Sequence, residues 1–198
     1  MNALVGGIVL LLCTIGQVAA NQVFEATRAG DPAAVERLLN NGVAVDEPGR
    51  NGETALIVAA LNGRPDLAKL LLAHGADITA RNAGGFTPLH AAAYSGSVQV
   101  ASLLLQHGAP LEDADNKARV TPLLVAADEG RADMVEFLIG RGATFEVQDK
   151  DGFTPLSQAW SKKHVDVVRL LKQHGATCQP AEVLGSEAYY RQCVEAGQ

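Results

Sequence analysis

Asn82-Ala83-Gly84-Gly85-Phe86-Thr87-Pro88-Leu89-His90-Ala91-Ala92-Ala93-Tyr94-Ser95-Gly96 begins a unit that recurs along the chain. Asn82 to Gly85 is a turn signal, with two glycines free to take positive φ. Thr87 is placed as a helix N-cap, and Pro88 follows at the first helical position, where a missing N–H costs nothing. Leu89, Ala92 and Ala93 make the apolar stripe of a short helix that ends at Tyr94-Ser95-Gly96. Val98, Ala101, Leu104 and Leu105 form a second stripe at helical spacing, and Gly108 is a C′ residue for that helix. One unit therefore reads as turn, short helix, turn, longer helix.

The unit repeats. Thr54-Ala55-Leu56, Thr87-Pro88-Leu89, Thr121-Pro122-Leu123 and Thr154-Pro155-Leu156 are spaced by 33, 34 and 33 residues. Gly42, Gly75, Gly108, Gly142 and Gly175 keep the same beat. Self-similarity at this period means a stacked array, in which each unit buries its apolar face against its neighbours.

The motif Thr87-Pro88-Leu89-His90-Ala91-Ala92 resembles the signature of the ankyrin repeat, and Ile57, Leu124 and Ser157 replace its His in the other copies. The resemblance covers about Val23 to Cys178. It implies an all-α solenoid of about five helix-pair repeats with β-hairpin-like fingers along one edge. The divisions are 21–49 (N-cap repeat), 50–82, 83–115, 116–149 and 150–178 (C-cap repeat), followed by a tail, 179–198.

The end copies depart from the pattern. Nothing upstream of Ala26, Gly30, Val35 and Leu39 resembles a finger, so this copy reads as a cap. The last copy has Lys163 where Gly63, Gly96 and Gly130 stand earlier, and Lys172 where Leu72, Leu105 and Ile139 stand. Polar residues on a formerly buried face suit a terminal unit whose outer side meets water. Trp160, in place of Ala60, Ala93 and Ala127, is expected to cover the end of the core.

Ala3 to Ile15 is almost wholly apolar and ends at Gln17-Val18-Ala19-Ala20. This fits a signal peptide over 1–20, cut between Ala20 and Asn21. Asn21 lies 33 residues before Thr54, in the N-cap slot of the first short helix, so the expected cut falls at the expected fold boundary. The segment lacks the usual Lys or Arg. An uncleaved anchor and a lipidated Cys13 are the alternatives, although Leu12 is large for the residue before a lipidation site. Export would place the protein in the periplasm or outside the cell. An oxidising compartment would let Cys178 and Cys193 pair and tie the tail to the last repeat; two free thiols are the alternative. The tail, Ala181 to Ala196, reads as a helix with Tyr189 and Tyr190 near its middle.

No catalytic grouping stands out, and no metal or cofactor is expected. His74, His107 and His174 each precede the terminal Gly of a long helix, where a positive or polar group favours the helix dipole. His90 and His164 have structural slots in the repeat. Asp113, Asp115, Asp149 and Asp151 fall at finger positions, where Asx-type hydrogen bonds are the first reading and calcium the second. A net charge of −6 with both signs interspersed and no basic stripe argues against nucleic acid. No stable membrane insertion is expected once the signal is cut, and the expected state is a monomer.

In the family, finger tips and the exposed end of each short helix line a concave side that binds protein. By register this side carries Arg50 and Glu53, then Arg81, Phe86 and Tyr94. It continues with Lys117, Arg119, Asp128 and Glu129, and ends with Lys150 and Phe153. Phe86, Tyr94 and Arg81 form the candidate hot spot, being aromatic and Arg residues close in register. The interval Gly108 to Thr121 is one residue longer than its counterparts, and Arg119 replaces the finger glycine. A protruding basic finger for an acidic partner and a neutral insertion are equally good readings.

The expected function is non-enzymatic protein binding in the bacterial periplasm. Some exported bacterial ankyrin proteins that the chain resembles are associated with haem catalases and peroxide defence. An immunity or inhibitor protein that occludes a toxin or hydrolase, and a secreted effector, are the alternative readings.

Overall fold

A computed structural model describes residues 21–195, which hold twelve α-helices and no strand. The expected signal segment 1–20, with Ala20 and Cys13, lies outside the described residues, as do 196–198. Five antiparallel pairs form the array: α1 (Gln22–Ala29) with α2 (Pro32–Asn40), α3 (Ala55–Leu61) with α4 (Pro65–Ala73), and α5 (Pro88–Ser95) with α6 (Val98–Gln106). α7 (Pro122–Asp128) pairs with α8 (Ala132–Gly140), and α9 (Pro155–Ser161) with α10 (Val165–Gln173). α11 (Ala181–Leu184) and α12 (Glu187–Glu195) make the tail. The short helices stack in one layer and the long helices in a second.

The cap chemistry sets each short helix. Thr54, Thr121 and Thr154 sit in extended backbone, and their Oγ1 atoms accept from the N–H three residues on at 3.3–3.4 Å. Asn21 departs from this. It is left-handed at φ 60° and makes no side-chain cap; only its carbonyl serves the helix, accepting from Glu25 N–H. Alanines 59, 60, 92, 93, 126 and 127 are fully buried, letting short helices approach closely, while Leu67, Leu71, Leu104 and Leu138 fill the layer of long helices.

The fingers are tight turns rather than paired strands. Gly49, Asn82 and Asp149 N–H groups donate across the turn to Glu53, Phe86 and Phe153 carbonyls at 2.8–3.1 Å. In the fourth copy Asn116 Nδ2 makes the equivalent bond to Val120 O, at 2.7 Å. Backbone bonds then join finger to finger: Ala83 N to Asn51 O, Lys117 N to Gly84 O, and Lys150 N to Ala118 O. The run from Asn116 to Thr121 equals that from Asn82 to Thr87, so the extra residue precedes the tip, within 109–115. The finger carrying Lys117 and Arg119 is thus no longer than its neighbours.

A second set of bonds links the repeats at the helix turns. Arg64 Nη1 donates to Gly30 O, Arg131 Nε to Tyr94 O, and His164 Nε2 lies 2.8 Å from Asp128 O. Ser97 is too short for this, and Ser95 Oγ donates to Ala60 O instead. These side chains lie over the preceding repeat's glycine: a Cβ on Gly30, Gly96 or Gly130 would come within 2.6–2.9 Å of Arg64, Arg131 or His164. No later repeat lays a side chain over Lys163, so this position accommodates a side chain while keeping the left-handed conformation, at φ 64°. Arg119 does the same at φ 54°. Both positions carry strain that glycine lacks. Lys163→Gly and Arg119→Gly are each expected to raise unfolding stability by about 0.5–1 kcal/mol, the cost of left-handed L-residues less the chain entropy of glycine. Urea unfolding of the two variants checks this.

The C-terminal end is covered by protein. Cys178 and Cys193 form a disulfide, with Cα atoms 6.1 Å apart. The Lys172 ammonium, expected to face water, instead donates to the Cys193 and Val194 carbonyls and caps the last helix. Gln179 takes the place of a sixth finger: its Nε2 donates to Gly152 O at 2.7 Å and its Oε1 accepts from Thr154 N. The tail is not one helix; Gly185, at φ 67°, breaks it in two. Trp160 is half-buried against the core.

Candidate protein-binding groove

Three Asx turns hold the finger tips over the short helices. Asn82, Asn116 and Asp149 each accept two backbone N–H groups on Oδ1, two and four residues on, at 2.9–3.2 Å. The second donors are Phe86, Val120 and Phe153, so the turn fixes the residue just before each Thr. Phe86 packs edge-on against the His90 ring, with centroids 5.5 Å apart.

Beside these turns lies a recess of about 350 Å³, floored by Phe86, Val120, Leu124 and Val125. Tyr94, 49% exposed, stands at its edge. Asp128, Glu129, Asp149 and Asp151 line it, with Ala118 and Gln158. It therefore gathers four of the sequence-predicted residues: Phe86, Tyr94, Asp128 and Glu129. Lys117, Arg119 and Lys150 are exposed on the tips but outside its lining, Phe153 is half-buried beyond it, and Arg50 and Glu53 belong to the first finger. Val125 and Gln158 escaped the sequence reading. Each stands four residues after its Thr, where earlier copies have the buried Val58 and Ala91. Half-burial at that register is the only signal that marks them.

Arg81 is bound within the array. Its guanidinium meets both Asp113 oxygens at 2.6 and 3.0 Å, and Nη1 also donates to Gly85 O and Asp115 O. Asp113 is nearly buried, at 6% side-chain exposure. Burial works against its charge, but the Arg81 hydrogen bond and positive charge outweigh that and hold its carboxyl below the usual range. The extra residue falls in the loop 109–115 that brings Asp113 under Arg81. The irregular step in the repeat is thus part of a strap between the second and third copies.

That strap stands where another bond is missing. Asp46 accepts from Asp77 N, Glu112 from Thr144 N, and Glu146 from Thr177 N, each carboxylate reaching one repeat onward. The remaining step has Thr79 for the acid and Pro110, which has no N–H, for the donor.

His90 serves the fold. Its Nδ1 accepts from Thr87 N–H at 3.2 Å, and Nε2 lies 3.0 Å from Val120 O, which assigns the proton to Nε2. Burial pushes its imidazole below the usual histidine value, against the opposing pull of Val120 O and Asp113. The unfolded chain therefore takes up the proton first. This contribution to stability is complete above about pH 6.5 and declines as the pH falls, by up to about 1.4 kcal/mol per unit until the folded imidazole titrates. The decline between pH 7 and 5 is expected to be smaller in His90→Leu, the residue found at Leu124; denaturant midpoints across that range check it.

His107 bonds its own helix through Leu103 O. Among the described residues, no three His, Cys, Asp or Glu side chains converge on a metal position, and no helix is long and apolar enough to cross a membrane.

The family model for ankyrin repeats, three copies in length, matches residues 23–115 and 110–181. Serine/threonine-protein kinase 12 of Arabidopsis thaliana is 43% identical over 56 residues. That stretch is 28% of this chain, and it spans only 12% of the kinase.

Proposed function

Because the chain belongs to the ankyrin-repeat family and so carries a protein-interaction module, we propose that it is a non-enzymatic array that holds another protein in the groove beside Tyr94, in the bacterial periplasm or outside the cell. The recess carries this reading: an apolar floor with an exposed aromatic edge, on the side where the fingers meet the short helices. Export is supported by the apolar segment 3–15 ahead of Ala20, and by the Cys178–Cys193 bridge, which suits an oxidising compartment. The partner in this proposal is an enzyme of peroxide defence such as a catalase, a context supported only by the resemblance to exported bacterial ankyrin proteins.

A Tyr94→Ala/Glu129→Ala variant tests the groove. Tyr94 is exposed and Glu129 is half-buried without an ion pair among the described residues, so the melting curve is expected to match the wild type while recovery of the cross-linked partner falls about tenfold or more, the size of a hot-spot loss. Equal recovery would remove the groove from the account. Mass spectrometry of the native N-terminus tests export. A chain beginning at Asn21 is expected, and an intact Met1 form confined to the cytoplasm would overturn it.

A further inference from the structure

On the reading that this recess is the binding groove, we infer that its occupant is a short basic and apolar segment of the partner protein, one that presents an Arg or Lys beside an aliphatic or aromatic side chain.

The charge of the lining points there. Its four ionisable groups of fixed sign are Asp128, Glu129, Asp149 and Asp151, and no Lys or Arg lines it. Asp128 is partly neutralised, since Oδ1 accepts from Gln158 Nε2 at 2.6 Å and lies 3.3 Å from Lys162 Nζ. Asp149 accepts its two backbone bonds on Oδ1. Glu129 and Asp151 make no ion pair among the described residues. The apolar wall beside these carboxylates lowers the local dielectric and strengthens their attraction for a cation.

The shape selects the same chemistry. A Lys or Arg stem lies along Val120 and Val125 while its head reaches the carboxylates. The faces of Tyr94 and Phe86 favour a cation over an anion. Lys117, Arg119 and Lys150, exposed on the finger tips, disfavour a long polybasic stretch. They restrict the match to one or two cations set in an apolar context. The basic finger read in the sequence fits an acidic partner or a neutral insertion equally; the recess beside it is lined by acidic groups.

The test is selection of random peptides of about 12 residues, displayed on phage, against the immobilised full chain, followed by titration of the enriched peptides. Enriched sequences are expected to carry Arg or Lys next to Leu, Met, Phe or Trp, and binding is expected to weaken as salt rises. Glu129→Lys/Asp151→Lys is expected to weaken these peptides about tenfold and to shift a fresh selection toward Asp and Glu. Enriched peptides that are neutral or acidic overturn the inference, and so does a basic preference that the double reversal leaves unchanged. If Tyr94→Ala weakens binding while the charge reversal does not, the groove stands and the basic occupant falls. If Tyr94→Ala has no effect, or no sequence is enriched, the groove reading itself fails.

Discussion

Leu104→Ala is expected to destabilise the protein by about 2–5 kcal/mol, the range for removing a fully buried leucine from a core that cannot close around the gap. Leu104 is 0% exposed in α6, the middle long helix, which packs against both α4 and α8. Stability in a linear array is a sum of unit and interface contributions, so a defect at the centre weakens two interfaces at once. The loss is expected as a lower denaturant midpoint and also as a shallower transition, with the two halves losing cooperativity. A midpoint shift under about 1 kcal/mol would mean that the layer of long helices relaxes into the space, against the picture of a closely packed centre. The same truncation at Leu39, 7% exposed in the N-terminal pair, is expected to cost less.

Cys193→Ser is expected to loosen the tail and the last repeat by about 3 kcal/mol, from the entropy of a loop closed over 15 residues. Here the loss is local. The Lys172 ammonium and Gln179 hold the last repeat only while the tail is docked, so breaking the bridge weakens three attachments together. Amide exchange is expected to quicken in α10 and α12 and to stay unchanged in α1 to α4. Uniform quickening along the whole chain would show that the end cap governs global rather than terminal stability. No tail residue lines the recess, so any loss of peptide binding in this variant reports loosening of the last repeat, which supplies Asp151 and Gln158.

Much of this could be read from the chain. Threonine caps, first-turn prolines and terminal glycines are local signals; each acts through its own neighbours, and each gave its helix the right place and length. The contacts between repeats were less legible. Arg64, Arg131 and His164 do one job with different chemistry, and recognising the job needs the carbonyl one repeat away. Lys172 read as a surface residue because the sequence shows its polarity and not the helix end it caps. Arg81 read as an anchor for a partner because its exposure was inferred from register, while Asp113 comes beneath it only in three dimensions. Of the recess, the sequence reading names Phe86, Tyr94, Asp128 and Glu129. Its net charge was not legible, since Lys117 and Arg119 stand next to it in sequence and outside it in space.

Phe24 shows what the couplings between repeats accomplish together. It occupies the slot held elsewhere by Ile57, His90, Leu124 and Ser157, and its ring lies where a Cβ on Gly49 would be, 2.4 Å away. The equivalent place in the next two fingers is filled by Asn82 and Asn116, and Asn116 stands 3.4 Å from the His90 ring. A chain that slid by one unit while folding would drive the Phe24 ring into Asn82 and leave Arg81 without Asp113. Units alike in shape are thereby given an order, much as differently cut teeth let only one sequence of gears mesh. A repetitive chain in which every seam matched every other would have no such defence against stacking out of turn or joining with a second copy.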